Sequence, residues 1–392
     1  MATAHRRSSE KPTVLIIGAG VIGLGIAWRL AQRGAAVTLF DRAAAGSGAS
    51  HAAAGMLAVC AEAEPGEENL IALGRRSQAL WPDFAAELEK LTGQPVDLRP
   101  EGTLVVALTA DDQARIQHHL AFQRSLELPV EWISAREARR REPHLASIAG
   151  AVWSPEDGQV DNRKLVAALK LACASAGADI REHRPVRRIL ITNGRAVGVE
   201  LADGSAHRAD VVVLAAGAWS RGIEGLASAL RPPVRPVKGQ MIALQMDPAA
   251  PLVSHVVWGP NVYMAPRIDG RLIVGASVEE KGFDTTITAG AVLALLEAAW
   301  RVFPAIEELP IAEMWAGHRP GSRDDAPILG CGPAEGLIYA TGHHRNGILL
   351  APITAEAIAR LVLDGTMDPV IAPFGLDRFA PAPARAAARA AE

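Results

Sequence analysis

The first ordered signal in the chain is Val14–Ile17, four aliphatic residues with no polar position, which predicts a strand buried on both faces. From Val21 to Arg33 apolar side chains recur at helical spacing, and Gly34 closes the pattern as a helix stop. Ala36–Phe40 repeats the strand signature and ends at Asp41. Strand, helix and strand in that order predict a parallel β-α-β unit with a right-handed crossover. Further on, Leu70, Leu73, Leu80, Phe84, Leu88 and Leu91 form one stripe of an amphipathic helix running from Glu68 to Leu91. Helices are also predicted over 111–126 and 161–176, the second capped by Asp161 and ended by Gly177. The pattern then changes to hairpins. Ile189–Thr192 and Arg195–Glu200 flank Asn193-Gly194, and Tyr263–Ile268 and Arg271–Ala276 flank Asp269-Gly270. Both dipeptides favour a two-residue type I′ turn. In the second hairpin such a turn sets Tyr263 opposite Ala276, with Val278 two residues on and on the same face. A last helix is predicted over 347–363.

The order β-α-β, helices, hairpins, then a late strand and helix predicts an α/β fold of two domains: a Rossmann-like nucleotide-binding domain with an inserted antiparallel-sheet domain. The expected division is 12–62, 149–232 and 316–380 for the first, 63–148 and 233–315 for the second, and 381–392 as a frayed Pro, Ala and Arg tail. A length of 392 residues agrees with about two or three domains at roughly 100–200 residues each. Hydrophobic residues at 49% and a net charge of −3 exclude disorder for the bulk of the chain and argue against a nucleic-acid protein. Three scattered cysteines without a CxxC pair rule out a disulfide framework and a cysteine zinc site, and they fit a reducing, cytoplasmic setting. The uncharged run Val14–Trp28 is shorter than the roughly 20 residues of a membrane span. Its four glycines also argue against a signal peptide.

The chemistry sits at the first turn. Gly18-Ala19-Gly20-Val21-Ile22-Gly23 is a G-x-G-x-x-G between strand and helix: a tight turn, a close backbone approach to pyrophosphate, and close helix packing. The helix N-terminus offers N–H donors and a partial positive charge to phosphates. Asp41, eighteen residues past Gly23, is placed to accept from ribose hydroxyls and disfavours a 2′-phosphate. These features do not separate NAD from FAD. The stretch Ser47–Leu57 is small, glycine-containing and almost uncharged, as a backbone passing close to a flat ring system requires. No G-x-S-x-G elbow or P-loop is present; His118 and His119, adjacent on a helix, point in different directions, and His343-His344 have no nearby acidic or cysteine ligands, so no metal is expected.

With Ala52-Ala53-Ala54-Gly55-Met56-Leu57 added to the glycine turn and Asp41, the chain resembles the D-amino-acid oxidase family of flavoproteins, nearest the glycine oxidases of thiamine biosynthesis. Ala215–Ser220, Trp315–Gly321 and Gly342–Ile348 agree with it, so the resemblance covers about Val14 to Leu363. It implies FAD, held non-covalently because no cysteine lies between Trp315 and Gly330. Gly18, Gly20, Val21, Ile22, Gly23, Asp41 and Arg42 would hold its ADP half. Ser50, Ala54, Gly55, Met56, Val186, Gly217 and Trp219 would contact the rest. Gly342, His344, Arg345, Asn346, Gly347 and Ile348 would lie beside the flavin, at a helix N-terminus that favours an anionic reduced ring. Arg319 would grip the substrate carboxylate with Tyr263, and Arg345 would stand near the entrance. Met56 and Val278 would line the substrate pocket, Val278 where the family pattern has methionine. The implied activity is oxidation of glycine and other small amino acids by hydride transfer to flavin N5. Its products are an imino acid, then an oxo acid, ammonia and hydrogen peroxide, with a role in thiazole formation. The resemblance also implies an amino-acid substrate, molecular oxygen and a homo-oligomer, a tetramer, with no nucleic-acid or membrane partner. Two alternatives remain: a dehydrogenase using another acceptor, and an FAD-binding module without turnover.

Overall fold

A computed structural model describes residues 11–380. The tail read at 381–392 lies outside them. The fold is mixed α/β, built on a six-stranded and an eight-stranded sheet. In space the first runs Ile328–Cys331, Leu337–Thr341, Val211–Leu214, Thr13–Ile17, Ala36–Phe40, Asp179–Arg181. All neighbours are parallel except the edge strand Ile328–Cys331. The absence of polar positions in the first strand has its reason here. Val14 and Ile16 pack into one core with the helices Val21–Gln32, Asn162–Ser175 and Ala351–Asp364. Leu15 and Ile17 pack into another with the antiparallel sheet Val186–Thr192, Arg195–Leu201, Ala206–Arg208. A strand covered on both faces reads as a continuous apolar run.

The eight-stranded sheet runs Ile311–Gly321, Arg235–Gln245, Arg271–Gly275, Val262–Pro266, Val256–Gly259, Thr103–Ala107, Gly150–Ser154, Glu131–Ile133. The helix Ala289–Val302 buries Leu295, Ala299 and Val302 against it. This sheet crosses two of the expected domain boundaries. Gly150–Ser154 belongs to it, and Ile311–Gly321 passes unbroken through 316, paired along its length with Arg235–Gln245. Among the described residues no helix is long and apolar enough to cross a membrane.

Local signals place most boundaries. Asp161 caps its helix by accepting the Arg163 and Lys164 N–H groups at 2.9 and 3.1 Å. Asn193 and Gly194 both have positive φ, 51° and 78°, and Thr192 faces Arg195, as the two-residue turn predicts. The second hairpin differs. Arg267 N–H donates to the Arg271 carbonyl at 2.7 Å, which makes Ile268-Asp269-Gly270 a three-residue loop with Gly270 at φ +87°. The Asp269 carboxylate explains the change: it accepts the Arg271 N–H at 3.1 Å and its Nε at 2.8 Å instead of occupying the turn's first left-handed position. The register moves by one residue, so Tyr263 faces Gly275 and not Ala276. The strand ends at Gly275, and Val278 lies in the following loop, 74% exposed. The last helix also starts later than predicted, at Ala351 instead of Gly347, after a short 3-10 turn at His344–Asn346. Pro352 in its first turn, with φ already set, marks that start.

Candidate active site

The carboxyl ends of Thr13–Ile17 and Ala36–Phe40 open on a cavity of about 1940 Å³ that reaches Tyr263 and Arg319 on the eight-stranded sheet. Small-ligand pockets hold roughly 300–1,000 Å³, so this one has room for a dinucleotide-sized group and a small substrate together.

At the nucleotide end Gly18 has φ +104°, and a Cβ there would stand 2.4 Å from the Ala215 carbonyl oxygen, so only glycine fits. Asp41 does more than the sequence suggested. Its carboxylate accepts the Ala19 N–H at 2.7 Å and the Ala43 N–H at 2.9 Å, which pins the glycine turn to the second strand. Ser50 Oγ accepts the Val21 N–H at 2.9 Å and joins the small-residue stretch to the helix N-terminus. Arg42 lies over the Trp219 ring at 4.6 Å. The buried Arg267 donates to the Ala54 carbonyl at 2.6 Å and the Val160 carbonyl at 3.0 Å, holding the Ala54-Gly55 backbone against the cavity. Burial lowers that guanidinium to about 10.

Of the residues expected to hold a cofactor, Gly18, Gly20, Val21, Ile22, Asp41, Arg42, Ser50, Ala54, Gly55, Met56, Val186, Gly217, Trp219, His344, Arg345, Asn346, Gly347 and Ile348 line this one cavity. Gly23 and Gly342 do not. Gly23 seats the helix on the strand, where a Cβ would meet the Gly18 carbonyl oxygen at 1.9 Å. Gly342 packs over Ile328 and Ser322. The cavity fits FAD on two further observations. A Cβ at Gly217 would meet nothing within 4 Å, and the buried His344 Nδ1 has no hydrogen-bond partner among the described residues. Burial lowers His344 to about 4, so its imidazole is neutral at the cavity wall. None of the three cysteines lines the cavity.

At the other end Arg319 and Tyr263 come together. Arg319 Nη1 donates to the Ser277 carbonyl at 3.1 Å, and its charge acts on the Tyr263 hydroxyl on the same cavity wall. That hydroxyl lies 3.3 Å from Met241 Sδ, and the Trp258 ring packs at 5.1 Å from the Tyr263 ring. Burial raises the Tyr263 phenol above its ordinary value, against the opposing pull of Arg319, so the hydroxyl keeps its proton. Val278 lines the cavity from its exposed loop and not from the strand face where the sequence placed it.

Arg345 reaches the cavity but is not a free cation. Its Nε bonds Glu62 at 3.0 Å and its Nη2 bonds Glu67 at 2.6 Å. Burial raises the Glu62 carboxyl, with Arg345 pulling it back down. Arg345, expected near the entrance, is thus committed to two carboxylates at the cavity wall. Glu62, Ser277 and Trp258 were not found from sequence. The acid-rich segment from Ala61 to Glu68 reads as a solvated run, and 283 positions separate Glu62 from its partner.

His343, beside this wall, is buried, bonds Thr354 Oγ1 at 3.2 Å, and is lowered to about 3 by burial. Its unfolded imidazole binds a proton below 6.5, while the folded one stays neutral down to about 3. Stability is therefore expected to fall as pH drops through that window, by about 1.4 kcal/mol per unit for this group. Urea unfolding at several pH values between 4 and 7 checks it: His343→Gln flattens the curve, and parallel curves for the two proteins exclude the effect.

A family profile described as "FAD dependent oxidoreductase" (DAO) matches residues 13–361. The chain is 41% identical over 374 residues to the bifunctional protein ThiO/ThiG of Synechocystis sp., covering 93% of this chain and 54% of that protein. It thus spans about half the length of the bifunctional relatives it matches. It is 38% identical over 369 residues to the glycine oxidase of Geobacillus kaustophilus, covering 93% of this chain and 96% of that one. The crystal structure of glycine oxidase from Geobacillus kaustophilus superposes with a TM-score of 0.87 at 37% identity, covering 94% of this chain and 99% of that one.

Proposed function

The chain belongs to the FAD dependent oxidoreductase family, and from that premise we propose that it is an FAD-bearing oxidase of glycine and other small amino acids, as in thiamine (thiazole) biosynthesis. One observation carries the reading. A guanidinium and a protonated phenol, Arg319 and Tyr263, meet on the wall of the same cavity that the glycine turn opens. A bare FAD-binding module has no use for that pair.

Arg319 offers a planar fork of N–H donors to the substrate carboxylate. One N–H is held by Ser277, and the guanidinium lines the cavity together with Tyr263. The Tyr263 hydroxyl donates to the same carboxylate. Two donors on one carboxylate fix the direction of Cα, and that positioning is this chain's main contribution to rate. Trp258, Met241 and Met56 enclose the place with apolar surface and exclude water. FAD, held by the glycine turn, Asp41 and Ser50, would supply the acceptor for the substrate's hydride and the redox link to oxygen. The half-buried Glu62–Arg345–Glu67 cluster holds the late loop to the wall without a net free cation. The proposal includes non-covalent FAD, a homo-oligomer and a cytoplasmic setting. It includes neither membrane nor nucleic-acid partners. The FAD part is taken as 12–62, 149–232 and 316–380, with the two boundary strands Gly150–Ser154 and Ile311–Gly321 pairing within the eight-stranded sheet.

The test is anaerobic mixing of the flavin-loaded protein with a panel of glycine, sarcosine and small D-amino acids, followed by readmission of air. Glycine is expected to bleach the flavin, with peroxide formed on reoxidation. Bleaching without peroxide would assign a dehydrogenase with another acceptor. No bleaching with any amino acid would reject the oxidase reading.

A further inference from the structure

Lys238 is fully buried, a cation on the strand Arg235–Gln245 with no exposed side-chain surface. A buried charge costs several kcal/mol unless it is paired and hydrogen-bonded. All its partners lie on one segment, the loop between Gly275 and the helix at Ala289. The ammonium bonds Asp284 Oδ2 at 2.5 Å and the Thr286 carbonyl at 2.6 Å, with Glu279 at 3.9 Å. Gln240, two residues along and so on the same strand face, grips the same loop. Its amide donates to Glu279 at 2.8 Å and Thr288 Oγ1 at 3.1 Å, and accepts the Thr288 N–H at 2.8 Å.

The loop carries Ser277, whose Oγ accepts the Gln240 N–H at 2.8 Å and donates to Glu279 at 2.6 Å. The Ser277 carbonyl is the acceptor that holds Arg319 Nη1 at 3.1 Å. Arg319 sits on the neighbouring strand, where His318 faces Lys238 and Arg319 faces Val237. His318 Nε2 adds a bond to the Asp284 carbonyl at 3.0 Å. A connected path therefore runs from Lys238 through the loop to the guanidinium. A guanidinium with one N–H fixed by a carbonyl cannot rotate freely, and its remaining N–H groups keep one orientation.

We propose that Lys238 is a positioning residue for substrate: by clamping the loop 277–288 it places the Ser277 carbonyl that orients Arg319. The proposal rests on the reading of Arg319 as the carboxylate's partner.

The full-length, FAD-loaded protein tests it, with acetate as the carboxylate probe followed by flavin absorbance, alongside glycine kinetics. Lys238→Met is expected to raise both the acetate Kd and the glycine KM about tenfold, with kcat within about twofold, the pattern of lost ground-state and transition-state binding together. Asp284→Asn removes the partner charge from a half-exposed position and keeps the test alive if Lys238→Met does not fold. It is expected to move Kd and KM the same way by about threefold. Unchanged acetate binding in these variants, while Arg319→Met loses it, overturns the role of Lys238. Acetate binding retained in Arg319→Met overturns the reading of Arg319 itself. A fall in kcat with KM unchanged also overturns the proposal, because it would place the loop in a step other than carboxylate binding.

Discussion

Arg319→Ala is expected to raise the glycine KM by about 30- to 4000-fold, corresponding to the roughly 2–5 kcal/mol lost when one side of a charge-assisted pair is truncated. The effect is large because three losses coincide. The carboxylate loses its fork of donors. The Tyr263 hydroxyl, buried against Met241 Sδ, loses its neighbour. The Ser277 carbonyl loses the N–H that it accepts. FAD retention is expected to be unchanged, because the glycine turn, Asp41 and Ser50 that would hold the ADP half make no contact with Arg319. Steady-state kinetics with a flavin-content measurement checks both halves. Unchanged glycine affinity would refute the carboxylate role, and loss of flavin would show that Arg319 serves the cofactor site.

Gly239→Ala is expected to reproduce most of that loss without touching Arg319, lowering kcat/KM at least tenfold, which is about 1.4 kcal/mol of transition-state binding. A Cβ at Gly239 would stand 2.6 Å from Arg319 Nη1 and 2.7 Å from Nη2. These atoms end a flexible side chain, so the guanidinium gives way and the strand does not. The fold is therefore expected to survive with Tm nearly unchanged while the grip is displaced. Gly275 is the counterpart on the facing strand, where a Cβ would meet Met241 Sδ at 2.5 Å and the Tyr263 hydroxyl at 2.7 Å. Kinetics paired with a melting curve decides the matter: activity retained at a normal Tm would exclude Gly239 as the space left for Arg319.

Much of the fold was legible because its signals are local. The β-α-β unit, the Asp161 cap and the Asn193-Gly194 turn depend on residues within a few positions of one another, and each stands where the sequence predicts it. Arg319 and Tyr263 were legible as a pair only through the family resemblance, since two residues 56 positions apart carry no pattern that joins them. The Asp269-Gly270 turn shows how a local rule loses. Asp-Gly favours the two-residue turn, yet the Asp269 carboxylate binds Arg271, and Arg271 also reaches Asp161 at 2.9 Å. The register differs by one residue from the two-residue turn, and Val278, beyond the strand's end at Gly275, lies in a loop.

By itself the sequence determined the nucleotide end of the molecule. There the requirement is for backbone geometry: a glycine at φ +104°, a helix whose N-terminus faces the turn, and an acid at the end of the next strand. Such geometry is written in adjacent residues. Only the tertiary structure decided the substrate end. It brought Ser277 to Arg319, committed Arg345 to Glu62 and Glu67, and buried Lys238 beneath the loop that carries Ser277. Those choices follow from which charges are desolvated together once two sheets share one cavity. A charge in a linear sequence has no burial and no partner until the chain has folded.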